Sequence, residues 1–285
     1  MSIFSDPKRY FVGIDSDGCA FDTMELKHRK VFIPQAIESL GFEQIADTYR
    51  RTAETVNLYS RTRGANRFEA IATCLDIMRK KEELACRVPD PSPIWEFVKS
   101  GRPLSNDSFA EYLNGDGTDL MKRVLHWSSE SNRKIAAMVV DNPPFPGVSE
   151  ALKAAHAFAN TMVVSATPAQ ALEQEWGAAG LLPEIDKVAG QEFGPKKQQL
   201  AAALEAGFER EKALMVGDAP GDHAAAEAHG ICFFPIVPGQ ESDSWAELNK
   251  HGLRRLREGS FAGEYQRSLL NSYYTTLDAH SQKVS

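Results

Sequence analysis

The sequence predicts an α/β protein: a doubly wound parallel sheet, Rossmann-like in its alternation, with an all-helical domain inserted into it. Three observations carry this. Short apolar runs end in polar signals at Asp15 Ser16 Asp17 Gly18, at Ser165 Ala166 Thr167, and at Gly217 Asp218 Ala219 Pro220 Gly221 Asp222. Over residues 148–237 strand and helix patterns alternate, which implies parallel strands joined by right-handed crossovers and covered on both faces. Over residues 22–143 the periodicity is helical throughout, a stretch of about 120 residues that is too long for a loop inside a compact domain.

The first strand is Tyr10–Ile14, an apolar run that breaks at Asp15 Ser16 Asp17 Gly18 and so reads as a buried strand ending in a turn. A carboxylate there sits at the carboxyl end of a strand, where open α/β sheets bind their ligands. An extended backbone points Asp15 and Asp17 to the same side. Two anions held together call for a cation, and Mg²⁺, a hard ion that prefers oxygen ligands, suits them.

Helices follow over 32–40, 44–59, 67–80, 94–99, 105–113 and 119–131, punctuated by Gly41, Gly64, Gly101 and Gly115. The cluster Asn142 Pro143 Pro144 Phe145 Pro146 Gly147 ends the helical run. Residues 22–143 are therefore expected to form a helical domain, and residues 1–21 and 144–285 the α/β core. Within the core the pattern predicts a helix over 148–160, a strand over 161–164, a helix over 168–179 and a strand at Lys187–Ala189. A helix over 196–206, a strand over 213–216, a helix over 222–229 and a strand over 231–237 complete it. The tail from 240 is more polar, with amphipathic helical patches at 245–257 and 265–276; it is expected to pack on the core and fray at its end.

A chain of 285 residues can bury a substantial core, and its net charge of −7 speaks against a nucleic-acid or membrane surface. Cys19, Cys74, Cys86 and Cys232 are far apart with no CxxC spacing, so zinc and disulfides are not expected and reduced, cytoplasmic thiols are. The first nine residues lack an apolar signal region, and no stretch reaches about 18 apolar residues.

In a doubly wound sheet the strand ends lie side by side, so Asp15, Asp17, Ser165, Asp218, Asp222 and a lysine of Gly194 Pro195 Lys196 Lys197 can converge. The set suits phosphoryl transfer. Asp15 can attack phosphorus, and a cation held by Asp15, the Asp17 backbone carbonyl and Asp218 would offset the repulsion between nucleophile and phosphate. Ser165 can donate to a phosphoryl oxygen and Lys196 can supply fixed positive charge. Asp17 can protonate the leaving alkoxide and later take a proton from water.

These residues resemble the haloacid dehalogenase superfamily, whose four motifs are matched in order by DSDG, the strand ending in Ser165, the lysine of GPKKQQL, and GDAPGD. The resemblance spans the chain and places residues 22–143 where the phosphatase and beta-phosphoglucomutase-like branch carries a helical C1-type cap. It implies Asp15 as nucleophile, Asp17 as acid/base, Ser165 and Lys196 as phosphate-holding residues, and Asp218 and Asp222 as ligands of Mg²⁺ directly or through water. Lys196 is preferred to Lys197 because Lys196 and Leu200 give the family's KxxxL spacing. Cys19 stands where the family usually has Thr or Val, and only a modest effect on loop packing is expected. Ala166 joins Ser165 among the substrate-binding positions, while Thr167 reads as a helix cap ahead of Pro168.

In the helical segment, Arg61, Arg63 and Arg67 surround Gly64, and this RxxGxxR pattern resembles the substrate-recognition loop of beta-phosphoglucomutase relatives. Arg63, Arg67 and Gly64 are candidate substrate contacts, as is Lys27 beside His28. Trp95, Trp127, Trp176 and Trp245 read as packing residues. The resemblance implies a cytoplasmic Mg²⁺-dependent hydrolase acting on a small phosphorylated metabolite through an aspartyl phosphate, with no nucleic-acid or membrane partner. The alternatives are a phosphomutase with the same catalytic set and a non-catalytic phosphometabolite-binding module.

Overall fold

Alternation along Tyr10–Ile14 (β1) decides its place. Val12 and Ile14 face one side of the strand and Phe11 the other, and all three are buried, so β1 needs cover on both faces. The computed structural model describes residues 3–4, 6–115, 117–138 and 142–282. Its packing falls into two compact units, residues 1–23 with 142–276, and residues 24–141 with 277–285.

In the first unit β1 is joined by Ala159–Val164 (β2), Lys187–Ala189 (β3), Ala213–Gly217 (β4) and Cys232–Pro235 (β5). The order is β3-β2-β1-β4-β5, with every pair parallel. The chain lays β2 and β3 on one side of β1 and then crosses to β4 and β5, so the topological switch falls at β1 and β4. Val12, Ile14, Val163, Leu214 and Val216 pack with Leu152 of the helix Val148–His156 and with Leu172 and Trp176 of the helix Ala169–Ala178. Phe11, Met162, Val164 and Met215 pack with Leu200 of the helix Lys196–Leu204 and with Ala225 and Ala226 of the helix Pro220–His229. Ile14 pairs with both Val163 and Val216, so the residues after the three central strands leave the sheet at one level.

The predicted helix over 148–160 ends instead at His156, and Ala159 and Asn160 belong to β2. Helical preference differs by at most about 0.7 kcal/mol among ordinary residues. That is outweighed where Ala159 and Asn160 pair with Tyr10 and Phe11 and the Asn160 side chain meets its own partners. Its Oδ1 accepts from Lys8 N at 2.6 Å and its Nδ2 donates to Asp186 Oδ2 at 3.0 Å. The tail forms the helices Glu241–Glu247, Leu253–Glu258 and Glu264–Ser281, the last longer than its sequence pattern suggests.

The second unit is helical, with Ile33–Leu40, Ala46–Glu54, Arg67–Arg79, Ser92–Val98, Asn106–Leu113 and Asp119–Ala136 as its main elements. No strand occurs among its described residues. Side chains of Asn66, Ser105 and Thr118 cap three of these helices by accepting from Phe68, Ser108 and Met121 N–H groups. Phe68 stacks on Phe109 with centroids 4.5 Å apart, and Phe97 meets Phe109 edge-on at 4.7 Å, which anchors the core of this unit. No described helix is long and apolar enough to cross a membrane.

Candidate active site

β1 stops at Ile14, and the chain turns immediately. Asp15 N donates to Val216 O at 3.0 Å, and the Ser16 carbonyl accepts from Cys19, Ala20 and Phe21 N–H at 3.2, 2.9 and 3.2 Å. Gly18 has φ +81°, the left-handed conformation that favours glycine. Strand β1 therefore ends just before the two carboxylates. Trp176 and Trp245 do more than pack. Trp176 Nε1 donates to Ser16 Oγ at 3.0 Å and Trp245 Nε1 to the Cys19 carbonyl at 2.9 Å, so both indoles tether this turn. Burial, reinforced by Asp218, Asp15 and Asp222, drives the Cys19 thiol well above its ordinary pKa and keeps it protonated.

At the end of β4, Gly217 is required sterically: a Cβ there would lie 2.5 Å from the Asp222 Cβ. Asp222 is in the first turn of its helix and accepts from Ala219 N at 3.0 Å, which closes the loop on itself. The result is a cluster in which Asp15, Asp218 and Asp222 each offer a carboxylate oxygen within 4.8 Å of the others. All three are nearly solvent-free, at 4%, 1% and 0% exposure. Lys196 Nζ lies 2.8 Å from Asp15 Oδ2 and 2.5 Å from Asp222 Oδ1, whereas the neighbouring Lys197 is exposed.

The electrostatics of this cluster are unbalanced. Burial drives the Asp15 carboxyl well above the ordinary carboxylate range; Lys196 opposes this, while Asp222 and Asp218 add to it. Burial acts to lower Lys196, but the Coulombic pull of Asp15 and Asp222 overcomes it and holds the ammonium charged. Among the described residues Lys196 bridges two of these three buried carboxylates, Asp15 and Asp222. Three convergent hard oxygen donors could hold a divalent cation such as Mg²⁺.

Two threonine hydroxyls hold the Asp17 carboxylate. Its Oδ1 accepts from the Thr23 hydroxyl and its Oδ2 from the Thr167 hydroxyl, the latter at 2.9 Å. The expected cap role of Thr167 is thus replaced by a bond to Asp17, and the helix that follows has no side-chain cap. Ser165 is buried at the end of β2, where its Oγ accepts from Thr167 N at 3.1 Å, and Ala166 beside it is exposed.

Gln199 was not foreseen. Fully buried, it donates from Nε2 to the carbonyls of Ser165, Gly190 and Gly194 at 2.8, 3.1 and 2.8 Å, which ties the end of β2 to the loop before Lys196. The signal was an amide side by side with the core residue Leu200 and one helical turn from Lys196.

Lys27, Arg63, Gly64 and Arg67 belong to the helical unit. Lys27 is half-buried, and Arg63 is buried with Nη1 donating to the Leu58 carbonyl. Gly64 is left-handed at φ +74°. Arg67 Nη1 donates to Ser128 O, Ser128 Oγ and Asn132 Oδ1 at 3.3, 3.0 and 2.7 Å, and its guanidinium lies 4.8 Å over the Phe32 ring. Arg61, on the other side of Gly64, pairs with Asp278 at 2.5 Å.

Three solved structures illustrate what the chain resembles. A candidate phosphoglycolate phosphatase from Lactobacillus delbrueckii subsp. bulgaricus superposes with a TM-score of 0.50 and 15% identity, covering 90% of this chain and 100% of that one. A haloacid dehalogenase-like hydrolase from Xanthomonas campestris gives 0.48 and 12%, with 91% and 98% covered. A candidate beta-phosphoglucomutase from Thermotoga maritima gives 0.40 and 18%, with 80% and 85% covered. Comparison with curated proteins returned no match. The profile of the haloacid dehalogenase-like hydrolases matches residues 15–230, from the first carboxylate of the cluster to the end of the helix that carries the last. With that match over the greater part of its length, the chain belongs to the haloacid dehalogenase-like hydrolase family.

Proposed function

We propose that the protein is a cytoplasmic, Mg²⁺-dependent phosphohydrolase that acts on a small phosphorylated metabolite through an aspartyl phosphate on Asp15. The observation that carries this reading is the contact of Lys196 Nζ with Asp15 Oδ2 at 2.8 Å, inside a buried cluster completed by Asp218 and Asp222. An Asp15 carboxylate oxygen forms a bond to phosphorus as the bond to the leaving oxygen breaks. Asp17 protonates that leaving oxygen. Ser165 Oγ already accepts from the Thr167 N–H, so its own O–H can turn to a phosphoryl oxygen, while Lys196 offsets the charge on the transferring group. Water then attacks the aspartyl phosphate with Asp17 taking its proton, which releases phosphate and restores Asp15. Mg²⁺, held by Asp15, Asp218, Asp222 and the Asp17 backbone carbonyl, would supply the charge that keeps Asp15 ionised and admits an anionic substrate.

Arg67, Arg63, Gly64 and Lys27 stand as the proposed substrate contacts of the helical unit, with Ala166 in the α/β unit. Four free cysteines support a reducing compartment. The test is turnover of p-nitrophenyl phosphate and of a panel of phosphorylated metabolites with Mg²⁺. The wild type is expected to release inorganic phosphate, and Asp15→Asn to release none while keeping its fold by circular dichroism. Retained turnover in Asp15→Asn would remove Asp15 as the nucleophile. Isomerised sugar phosphate in place of inorganic phosphate would assign the same residues to a mutase.

A further inference from the structure

The acidic loop after β4 is gripped from the tail of the chain. Tyr273, on the helix Glu264–Ser281 and fully buried, donates its hydroxyl to the Asp218 carbonyl at 2.8 Å. The other end of that same peptide unit is the Ala219 N–H, which donates to Asp222 Oδ2 at 3.0 Å. A peptide unit is planar and turns as one body. Its carbonyl is thus pinned by Tyr273 and its N–H by Asp222, and the backbone that carries the Asp218 side chain has one orientation.

The helix is itself located independently of this loop. Strand β5 is the edge strand and pairs with β4 on one side, so an edge-facing N–H has no strand partner among the described residues, and Gln266 Oε1 accepts from Phe233 N at 3.1 Å. Tyr265, in the first turn of the same helix, donates to Glu247 Oε1 at 2.9 Å. The helix is anchored at its start by contacts remote from the carboxylates and presents Tyr273 two turns later to the loop that bears two of them.

We infer that Tyr273 is a positioning residue for the divalent-cation site: by fixing the Asp218–Ala219 peptide it presets the Asp218 and Asp222 carboxylates for the ion. The inference rests on the proposed cation site. Hydrogen-bond partners of ligating groups commonly alter metal affinity by about 10–100-fold when removed. Tyr273→Phe keeps the ring in its packing and deletes only the donor. Mg²⁺ is titrated into wild type, Tyr273→Phe and Tyr265→Phe, with binding read by calorimetry and by the Mg²⁺-induced rise in Tm.

Tyr273→Phe is expected to weaken Mg²⁺ binding roughly tenfold, and Tyr265→Phe to bind as the wild type does. Unchanged binding in Tyr273→Phe, or an equal loss in Tyr265→Phe, overturns the inference while leaving the cation site in place. A wild type that does not respond to Mg²⁺ overturns the cation site and the inference together. Hydrogen exchange on the wild type tests the coupling without substitution. Mg²⁺ is expected to protect residues 218–222 and 270–276 together, and protection confined to the loop overturns the inference even if Tyr273→Phe does not fold.

Discussion

Lys196 Nζ bridges Asp15 Oδ2 and Asp222 Oδ1, at 2.8 and 2.5 Å, and so connects a residue at the end of β1 to one in the helix after β4. The ammonium is a cationic partner of a buried acidic cluster. Lys196→Ala is expected to lower kcat/KM for a phosphate ester by roughly 10²–10³-fold, the effect of removing a preorganised charge from a reacting centre. Steady-state kinetics with saturating Mg²⁺ measure it, and a loss below about threefold would place the lysine outside the reaction.

The Thr167 hydroxyl holds Asp17 Oδ2, so its removal tests whether Asp17 must be oriented to move a proton. Thr167→Val keeps the shape and deletes the donor. A loss of about tenfold in kcat with little change in KM corresponds to one hydrogen bond of about 1.4 kcal/mol made in the transition state. Thr167→Ser should recover most of it. A rise in KM with kcat unchanged would instead assign Thr167 to substrate binding.

Gln199 supplies a structural test close to the same chemistry. Gln199→Ala removes the shared donor of the Ser165, Gly190 and Gly194 carbonyls, of which Gly190 keeps the Phe193 N–H, and the expected cost is about 1–3 kcal/mol for the buried acceptors that lose it. Urea unfolding measures it. A change within about 0.5 kcal/mol of wild type, the range of surface substitutions, would show that the loops do not depend on this amide.

Asp186 gives the pH dependence. Burial acts to raise its carboxyl, but the Thr161 N–H and the Asn160 amide, bonded at 2.9 and 3.0 Å, together with His156, hold it below its ordinary value of 3.8. A depressed folded-state pKa means the unfolded chain takes up the proton first, so stability falls as pH drops below about 3.8. Asp186→Ala is expected to be less stable than wild type by about 1–3 kcal/mol at neutral pH, with the gap narrowing below that value. Denaturation at neutral pH and at pH 3 checks this, and equal gaps at both would exclude the carboxylate as the cause.

Much of the site was legible because each part is local. An apolar run, a break and a carboxylate appear within a few residues at β1 and again at β4. Parallel pairing then brings those ends to one level, as the pairing of Ile14 with Val163 and Val216 does. Lys196 was preferred to Lys197 on the KxxxL spacing of the family it resembles, and the structure sets Lys196 against Asp15 and Asp222 while Lys197 is exposed. Past the last strand residue the chain enters a turn in which the Ser16 carbonyl accepts from Cys19, Ala20 and Phe21 N–H and Gly18 N donates to the Phe21 carbonyl, contacts that strand periodicity does not reach.

By itself the sequence determined the α/β alternation, the helical segment, and the carboxylates and lysine of the cluster, because periodicity and strand-end signals need only neighbours along the chain. Tertiary structure alone decided which hydroxyls hold Asp17, which indoles tether its turn, and which amide and phenol fix the loops around Ser165 and Asp218. Those partners are far off in sequence: Thr167 is 150 residues from Asp17, Trp245 is 226 from Cys19, and Tyr273 is 55 from Asp218. A hydrogen bond depends on atoms within about 3 Å and on direction, and neither is encoded in residue spacing until the sheet and its crossovers have brought the groups together.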